Sequence, residues 1–221
     1  MQHLSPFHAM RHLCSAARSL TIFDVGAHHG QVSLLFRRLF PGALVYAFEP
    51  FPASFESLKQ NTCSDPMIKA FNFGFSETEE TKSFSVNTSS ATNSLLESDP
   101  RGIQTWGSGL LETTRRISLP FTTVDLFLAK MEIQKIDILK LDVQGAEYQV
   151  LKGAKESLAA SRCKLIYSEI IIQPTYQGQK DLHEILGIFS ELGFELYNFY
   201  DLSHTNNGKL RQLDAIFTLS K

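Results

Sequence analysis

Two glycines and two carboxylates in the N-terminal part of the chain have a spacing that suits a bound nucleoside. Asp24 is followed by Gly26 and Gly30, and Glu49 ends the apolar run of residues 44–48. Glycines let the backbone approach a ligand closely, and an acid at the next strand tip accepts hydrogen bonds from ribose hydroxyls. The spacing is G-x-x-x-G, which differs from the G-x-G-x-x-G fingerprint of dinucleotide-binding domains. The pattern therefore favours a nucleoside without phosphates, and S-adenosylmethionine is the common one.

A second group of acids follows the later strands of the chain. Asp142 ends an apolar run, Glu147 lies in the first turn of the next helix, and Glu169 ends the following strand. Strand carboxyl ends line the ligand crevice in open α/β sheets, so we expect Asp142 to face the reactive centre. Three acids at one edge could take a proton, hold a hydroxyl or bind a cation. His28, beside the glycine turn, is either a further candidate base or a loop residue that shapes the pocket.

Strand-like and helix-like segments alternate along the chain, which predicts a mainly parallel sheet with helices on both faces. The predicted strands of this sheet are 21–25, 44–48, 68–73, 136–142 and 164–170, with 195–200 and 215–219 as an antiparallel pair at one edge. Residues 81–86 are expected to add an edge strand or a hairpin. Helices are expected to begin near residues 31, 52, 122, 146 and 181. We expect residues 1–20 to form a short amphipathic helix or a frayed arm, and residues 21–221 to form one domain.

Regular patterning stops between residues 87 and 116, where Ser, Thr, Asn and Gly dominate and the lone Trp106 lies. A long stretch of this kind inside a compact domain is typical of a functional lid or of a disordered segment. We favour a lid, which would shape the pocket for a second substrate with polar contacts.

Composition excludes several classes of protein. The 221 residues carry a formal net charge of -2, which argues against a nucleic-acid-binding surface. No run approaches the roughly 18 apolar residues of a membrane span, and the first 20 residues lack the apolar core of a secretory signal. The three cysteines are far apart and odd in number, which favours reduced thiols and a cytoplasmic location over a disulfide framework or a metal site.

Four segments, residues 24–30, 48–50, 139–147 and 150–154, together resemble the FkbM family of S-adenosylmethionine-dependent methyltransferases. The resemblance extends over residues 21–219, and its most specific part is the block 140–153. It implies a Rossmann-like class I methyltransferase fold, with a mostly parallel seven-stranded sheet whose last strand is antiparallel. It also implies O-methylation of a hydroxyl on a sugar, a glycan or a natural product.

The resemblance further implies which residues hold the cofactor S-adenosylmethionine. The implied set is Asp24, Gly26, Gly30, Glu49, Asn72, Ser76, Glu77 and Asp142. Asp24 and the two glycines would line the methionine end, and Glu49 would hold the ribose. Asn72 and the Ser76–Glu77 pair would lie near the adenine. Asp142 would lie beside the transferred methyl group. With the acid and the histidine already named from their positions, the candidate catalytic residues are Asp142, Glu169 and His28.

Three positions depart from the family pattern. His28 replaces the usual Asn, Glu77 replaces an Asp and so lengthens the reach to the adenine, and Gln144 replaces a frequent Glu. The last change removes one negative charge from the expected reactive centre. None of the three removes the cofactor site.

Two other functions remain as alternatives. An NAD-dependent oxidoreductase is disfavoured by the missing fingerprint and by the lack of a separate catalytic domain. A non-catalytic module that binds a small molecule or a protein is disfavoured by the retained acids and glycines. The expected partner is a small-molecule or glycan acceptor, and a homodimer is left open.

Overall fold

The computed structural model describes residues 5–15, 19–160 and 162–220. Its strands are β1 (Thr21–Val25), β2 (Leu44–Phe48), β3 (Ile68–Phe71), β4 (Gly74–Phe75), β5 (Glu80–Asn87), β6 (Thr113–Thr122), β7 (Ile136–Leu141), β8 (Cys163–Ile171), β9 (Phe194–His204) and β10 (Leu210–Leu219). Its α-helices are α1 (Pro6–Leu13), α2 (Gln31–Leu39), α3 (Pro52–Thr62), α4 (Pro100–Trp106), α5 (Val124–Lys130), α6 (Glu147–Lys152), α7 (Lys155–Ala159) and α8 (Leu182–Glu191). A single 3₁₀ turn occupies Ser90–Thr92.

Seven strands form one sheet in the order β3-β2-β1-β7-β8-β10-β9. The first five strands in this order, β3, β2, β1, β7 and β8, pair in parallel. The next strand, β10, pairs antiparallel with both β8 and β9. The predicted mostly parallel sheet with an antiparallel last strand is therefore confirmed. Because β1 lies at the centre, its carboxyl end meets those of β2 and β7, where the predicted site residues follow.

Alternate residues of β1 supply the cores on the two faces of the sheet. Phe23 joins a buried cluster that includes residues of α5, α6, α7 and α8. Ile22 joins a second cluster that includes residues of α1, α2 and α3. Helices cover both faces, as the alternation of segments predicted.

The N-terminal segment contributes a helix to the second core. Met10 of α1 is fully buried, and the Phe7 ring contacts the rings of Phe36 and Tyr167 at centroid distances of 6.0 and 5.8 Å. The described part of the segment is thus a packed helix. Residues 1–4 and 16–18 of the predicted helix or arm lie outside the described residues. Among the described helices, none is long and apolar enough to cross a membrane.

A second, three-stranded sheet corrects the prediction for residues 87–116. The predicted strand at 81–86 is β5, which pairs antiparallel with β6 and forms the sheet order β4-β6-β5. The segment 87–116 is not structureless, because it contains the 3₁₀ turn, α4 and the start of β6. Residues 113–116 of β6 are exposed and polar, so they lack the apolar alternation that marks a half-buried strand.

Several boundaries also differ from the prediction, and the edge strands β9 and β10 are longer than the predicted 195–200 and 215–219. β3 ends at Phe71, two residues early, and the helix expected from residue 146 is divided into α6 and α7. The division falls at Gly153, where an added Cβ would lie 2.0 Å from the backbone oxygen of Ser76. This close approach between the helix break and the chain after β4 requires a residue without a side chain.

Candidate active site

The glycine turn after β1 is held between the ends of the two neighbouring strands. The backbone N–H groups of Gly26 and Ala27 both donate to the Phe48 carbonyl at 3.0 Å. Gly26 has a φ of +74°, and a Cβ there would lie 1.9 Å from the Asp142 carbonyl oxygen. The sequence assigned this glycine to close approach by a ligand, but its first requirement is close packing against the end of β7. The turn and Asp142 therefore have a fixed relative position.

Glu49 lies at the tip of β2 with both carboxylate oxygens held by the backbone. One oxygen accepts from the N–H of His28 and the other from the N–H of Phe51, each at 2.9 Å. Only 7% of the residue is exposed, and burial raises the pKa of Glu49 to about 7, against the opposing effect of these two hydrogen bonds. Each oxygen keeps a further lone pair, so the carboxylate can still accept from a diol.

Lys140 is the cation that joins the acids around the turn. Its Nζ lies 3.0 Å from an Asp24 carboxylate oxygen and 3.6 Å from an Asp142 oxygen, and it donates to the Gly26 carbonyl at 2.8 Å. Burial opposes its charge, but Asp24 and Asp142 raise the pKa of Lys140 above its ordinary value. Asp24 is itself fully buried and also accepts from Ser33 at 2.6 Å. The buried ion pair between Lys140 and Asp24 therefore stabilises the glycine turn. The sequence did not reveal this role of Lys140.

Gln144 joins two of the candidate catalytic acids. Its Nε2 donates to an Asp142 oxygen at 2.9 Å and to a Glu169 oxygen at 2.8 Å, while its Oε1 lies 3.0 Å from the Tyr176 hydroxyl. Burial, followed by Asp142 and Glu147, raises the pKa of Glu169 well above its ordinary value. Because residue 144 is an amide, it bridges the carboxylates of Asp142 and Glu169 without placing a third negative charge beside them.

Glu147 supports the loop after β7. Its carboxylate accepts from the N–H groups of Val143 and Gly145 at 2.9 and 3.4 Å. It is buried, and burial raises the pKa of Glu147 to about 7. The side chain thus fixes the backbone that follows Asp142.

A cavity of about 260 Å³ opens at the carboxyl ends of β1, β2 and β7. It is lined by the predicted site residues Gly26, His28, Glu49 and Asp142, and Gln144 also lines it. The remaining lining residues are Val25, Phe48, Pro50, Gly74, Phe75, Phe84, Ser90, Ala91, Asn93, Leu95, Phe121, Val143 and Ala146. Most of this lining is apolar, with a few polar groups, which is the usual character of a small-molecule site.

Six predicted site residues are not part of that lining: Asp24, Gly30, Asn72, Ser76, Glu77 and Glu169. Asn72 donates from its Nδ2 to the carbonyls of Glu49 and Pro50, so it supports the strand tip. Ser76 is fully buried and donates to Glu77 at 2.9 Å. An added Cβ at Gly30 would meet Leu58 of α3 at 2.8 Å, so this glycine allows α2 and α3 to pack closely. In the structure, the side chains of Asn72, Ser76 and Glu77 thus form hydrogen bonds within the protein.

His28 connects the glycine turn to the segment between β5 and β6. Its φ is +48°, its ring stacks on His29 with centroids 3.7 Å apart, and its Nε2 lies 2.9 Å from the Ser90 hydroxyl. Burial and His29 lower the pKa of His28, although Asp142 acts in the opposite direction. The imidazole is therefore neutral near pH 7 and able to accept a proton.

Residues 88–112, which we call the cover segment, are anchored to the rest of the domain by hydrogen bonds. Ser94 donates to the Gln144 carbonyl at 2.7 Å, and Trp106 donates from its ring N–H to Thr175 at 2.9 Å. Arg211 lies 4.2 Å from the centroid of the Trp106 ring. The first part of the cover segment lines the cavity. Its movement as a lid remains a prediction.

Within the described ranges, no group of three or more His, Cys, Asp or Glu side chains is arranged to hold a metal ion.

Comparison with known families decides the class of this site. A family model described as the methyltransferase FkbM domain matches residues 24–196. The chain belongs to the FkbM methyltransferase family. Membership of this family makes S-adenosylmethionine the cofactor, and the oxidoreductase alternative is thereby removed. The family domain includes both the glycine turn and the Asp142 loop.

Two relatives are similar to this FkbM methyltransferase in sequence. The 2-O-methyltransferase NoeI of Sinorhizobium fredii is 28% identical over 181 residues, which cover 79% of this chain and 72% of the relative. The hexuronic acid methyltransferase AglP of Haloferax volcanii is 24% identical over 166 residues, which cover 75% of this chain and 60% of the relative. The alignment thus omits a substantial part of the second relative.

Solved structures share the fold. The precorrin-6y C5,15-methyltransferase of Geobacter metallireducens superposes with a TM-score of 0.51 at 10% identity, covering 100% of this chain and 93% of that chain. At this identity the likeness concerns the fold alone, which is that of class I methyltransferases.

The residues present in this FkbM methyltransferase fit S-adenosylmethionine. The Glu49 carboxylate lines the cavity with free lone pairs for a ribose diol, and the aromatic rings of Phe75, Phe84 and Phe121 offer an apolar wall for a base. When bound, S-adenosylmethionine supplies a methyl group made electrophilic by the sulfonium. The chain must supply alignment of the acceptor and a destination for its proton.

Proposed function

We propose that the chain methylates a hydroxyl oxygen of a sugar or a related small polyol. The observation that carries this proposal is the Asp142 carboxylate, which lines the cavity at the tip of β7 and is held there by Gln144. A hydroxyl acceptor needs a hydrogen-bond acceptor that orients it and receives its proton during attack. The relatives NoeI and AglP, named for 2-O-methylation and for a hexuronic acid, support the choice of a sugar.

In this proposal Gly26 and its turn hold the methionine end of the cofactor, and Glu49 holds the ribose. An Asp142 oxygen lies 3.6 Å from the Nζ of Lys140, so a buried cation faces this carboxylate. The Asp142 carboxylate positions the acceptor hydroxyl and takes its proton. Glu169 is joined to Asp142 only through Gln144, so it is the second candidate for the proton, and neutral His28 is the third.

The proposal includes a small-molecule acceptor in a reducing compartment such as the cytoplasm. Cys14, Cys63 and Cys163 are free thiols, which supports a reducing compartment. The absence of a nucleic-acid partner and the homodimer stay predictions from the sequence.

Transfer of labelled methyl groups to a panel of methyl glycosides tests the proposal, with neutral hexoses and hexuronic acids as acceptors. With the best acceptor, Asp142→Asn should lower turnover by roughly 10²–10⁴-fold, the usual contribution of an acid–base group. Affinity for S-adenosylhomocysteine should change far less, because Asn keeps the size of the side chain. Glu195→Gln, an exposed change on β9, serves as the control and should retain wild-type turnover.

Near-normal turnover in Asp142→Asn would remove Asp142 from the chemistry and transfer its role to Glu169 or His28. Loss of S-adenosylhomocysteine binding in the same variant would instead make Asp142 part of the cofactor site. Wild-type protein that binds S-adenosylhomocysteine but methylates no member of the panel would refute the sugar acceptor.

A further inference from the structure

The side-chain amide of Asn93, in the cover segment, is buried, and one of its two polar atoms makes no hydrogen bond to the described residues. The residue lines the cavity and is 9% exposed. Its Oδ1 accepts from the backbone N–H of Asn87 at 2.8 Å. Only the oxygen of an amide can accept from an N–H, so this contact determines which end of the side chain is Nδ2. Nδ2 has no hydrogen-bond partner among the described residues. Native proteins rarely leave a buried donor unpaired, so the free N–H₂ group indicates a ligand atom.

The neighbours of Asn93 determine which end of the cavity receives this donor. On one side, the Thr92 carbonyl lies 3.0 Å from the Tyr176 hydroxyl, which also contacts the Gln144 side chain. On the other side, Ser94 donates to the Gln144 carbonyl at 2.7 Å. Both flanking residues are thus tied to the loop after β7. The segment that carries Asn93 therefore lies against the loop that follows Asp142, and both Asn93 and Asp142 line the cavity.

We propose that Asn93 contacts the methyl acceptor, donating a hydrogen bond to the oxygen that becomes methylated. This inference rests on the proposed function. A hydroxyl oxygen that donates its hydrogen to Asp142 and accepts from Asn93 has its remaining lone pair fixed in direction. Asp142 alone would leave the oxygen free to rotate about the donated hydrogen bond. Asn93 takes no proton and forms no covalent bond. It determines how well the acceptor binds and in which orientation.

Two variants separate the donor from the other properties of Asn93. Asn93→Asp and Asn93→Ala both remove the N–H₂ group. Only the Asp variant keeps an oxygen for the Asn87 N–H, and only the Asp variant adds a negative charge. An effect common to both variants therefore reports the lost donor. Gln104→Ala, an exposed amide in α4 of the same cover segment, is the matched control.

The experiment measures acceptor affinity by calorimetric titration into protein saturated with S-adenosylhomocysteine. The probe is the methyl glycoside that the wild type methylates best. Both Asn93 variants should bind it about 5- to 100-fold more weakly, as expected when one buried polar contact is lost. KM for the glycoside should rise in parallel. Affinity for S-adenosylhomocysteine alone should not change, and the Gln104 variant should match the wild type in every measurement.

Three results would overturn the inference. Wild-type acceptor affinity in both variants would show that Asn93 does not contact the acceptor. A parallel loss of S-adenosylhomocysteine affinity in both would assign the donor to the cofactor. Wild-type protein that binds S-adenosylhomocysteine but methylates no glycoside would remove the proposed acceptor class, and this inference with it. If thermal melting shows that the Ala variant is unfolded, Asn93→Ser takes its place in the comparison, because it also removes the N–H₂ group and adds no charge.

Discussion

The raised pKa of Glu49 predicts how cofactor affinity depends on pH. Burial raises the pKa of this carboxyl to about 7 in the free protein. A ribose hydroxyl donates most strongly to the ionised carboxylate, so binding favours ionised Glu49. With a pKa near 7, roughly a tenth of the Glu49 carboxyls are ionised at pH 6 and about nine tenths at pH 8. Affinity for S-adenosylhomocysteine should therefore fall about tenfold between pH 8 and pH 6.

In the free protein, Glu49 makes the free energy of unfolding fall as pH rises, whereas the affinity for the cofactor rises with pH. The folded pKa of Glu49 lies above its ordinary value of 4.5, so the unliganded fold loses stability as pH rises through the range from 4.5 to about 7. Binding at pH 7 should release up to about half a proton for each ligand. Calorimetry in two buffers with different ionisation enthalpies measures that release directly.

Glu49→Gln should remove the pH dependence of binding and lower affinity by about 1–3 kcal/mol at pH 8, where the wild type is ionised. Glu147→Gln is the matched control, because burial raises the pKa of Glu147 to about 7 as well, but its carboxylate holds the loop N–H groups of Val143 and Gly145. An unchanged pH slope in Glu49→Gln would refute Glu49 as the ribose ligand. A slope that disappears only in the control would assign it to the loop after β7.

Three further outcomes follow from the same structure. Gly26→Ala should lower the free energy of unfolding by at least about 2 kcal/mol in urea titration, because a side chain is strained at φ +74° and would collide with the Asp142 carbonyl. Lys140→Met should cost about 3–5 kcal/mol in the same measurement, since it leaves the fully buried Asp24 carboxylate without its cation; an unchanged midpoint would show that the fold does not depend on this ion pair. Trp106 fluorescence and hydrogen exchange of the cover segment should both respond to S-adenosylhomocysteine with an acceptor, whereas unchanged exchange would make the segment a passive surface.

The sequence predicted the strands of the main sheet well because their signals are local. β1 and β2 have the predicted bounds, and β7 ends one residue before the predicted strand. Each is a mainly apolar run, as expected for strands that are buried on both faces, although β1 includes Asp24 and β7 includes Asp137 and Lys140. Their carboxyl ends come together in the cavity because they are neighbours in a parallel sheet. The alternation of segments predicted the parallel sheet, whereas the pairing of β1 with β7 comes from the structure.

The missed elements depend on partners far along the chain. β6 pairs with β5 along its length, and its first four residues, 113–116, show no apolar alternation. The role of Lys140 depends on Asp24, which lies in a different strand. A lysine inside an apolar run was the available signal, since a buried charge needs a partner.

The side chains around the cavity were less predictable than its backbone. Family resemblance assigned the adenine to Asn72, Ser76 and Glu77, and this role stays a prediction; in the structure the Ser76 hydroxyl donates to Glu77, a contact that the sequence did not indicate. The free amide of Asn93 had no local signal, because it depends on which groups remain unpaired after folding. The spacing of residue types in a sequence predicts where a strand ends, but it does not show which buried polar groups lack a hydrogen-bond partner after folding.

One residue pair of the small sheet, Asn87 with Thr113, lies at the point where the cover segment begins and ends, so this segment can vary while the sheet stays the same. Asn87 of β5 pairs directly with Thr113 of β6, so the chain leaves the sheet and returns to it at one place. The entropy of closing such a loop grows only slowly with its length. Insertions between these two residues would therefore change the walls above Asp142 while the glycine turn and its buried Lys140 stay unchanged. Under the proposed mechanism, the same Asp142 can accordingly be combined with different acceptor pockets, and exchange of residues 88–112 between relatives should change the acceptor preference.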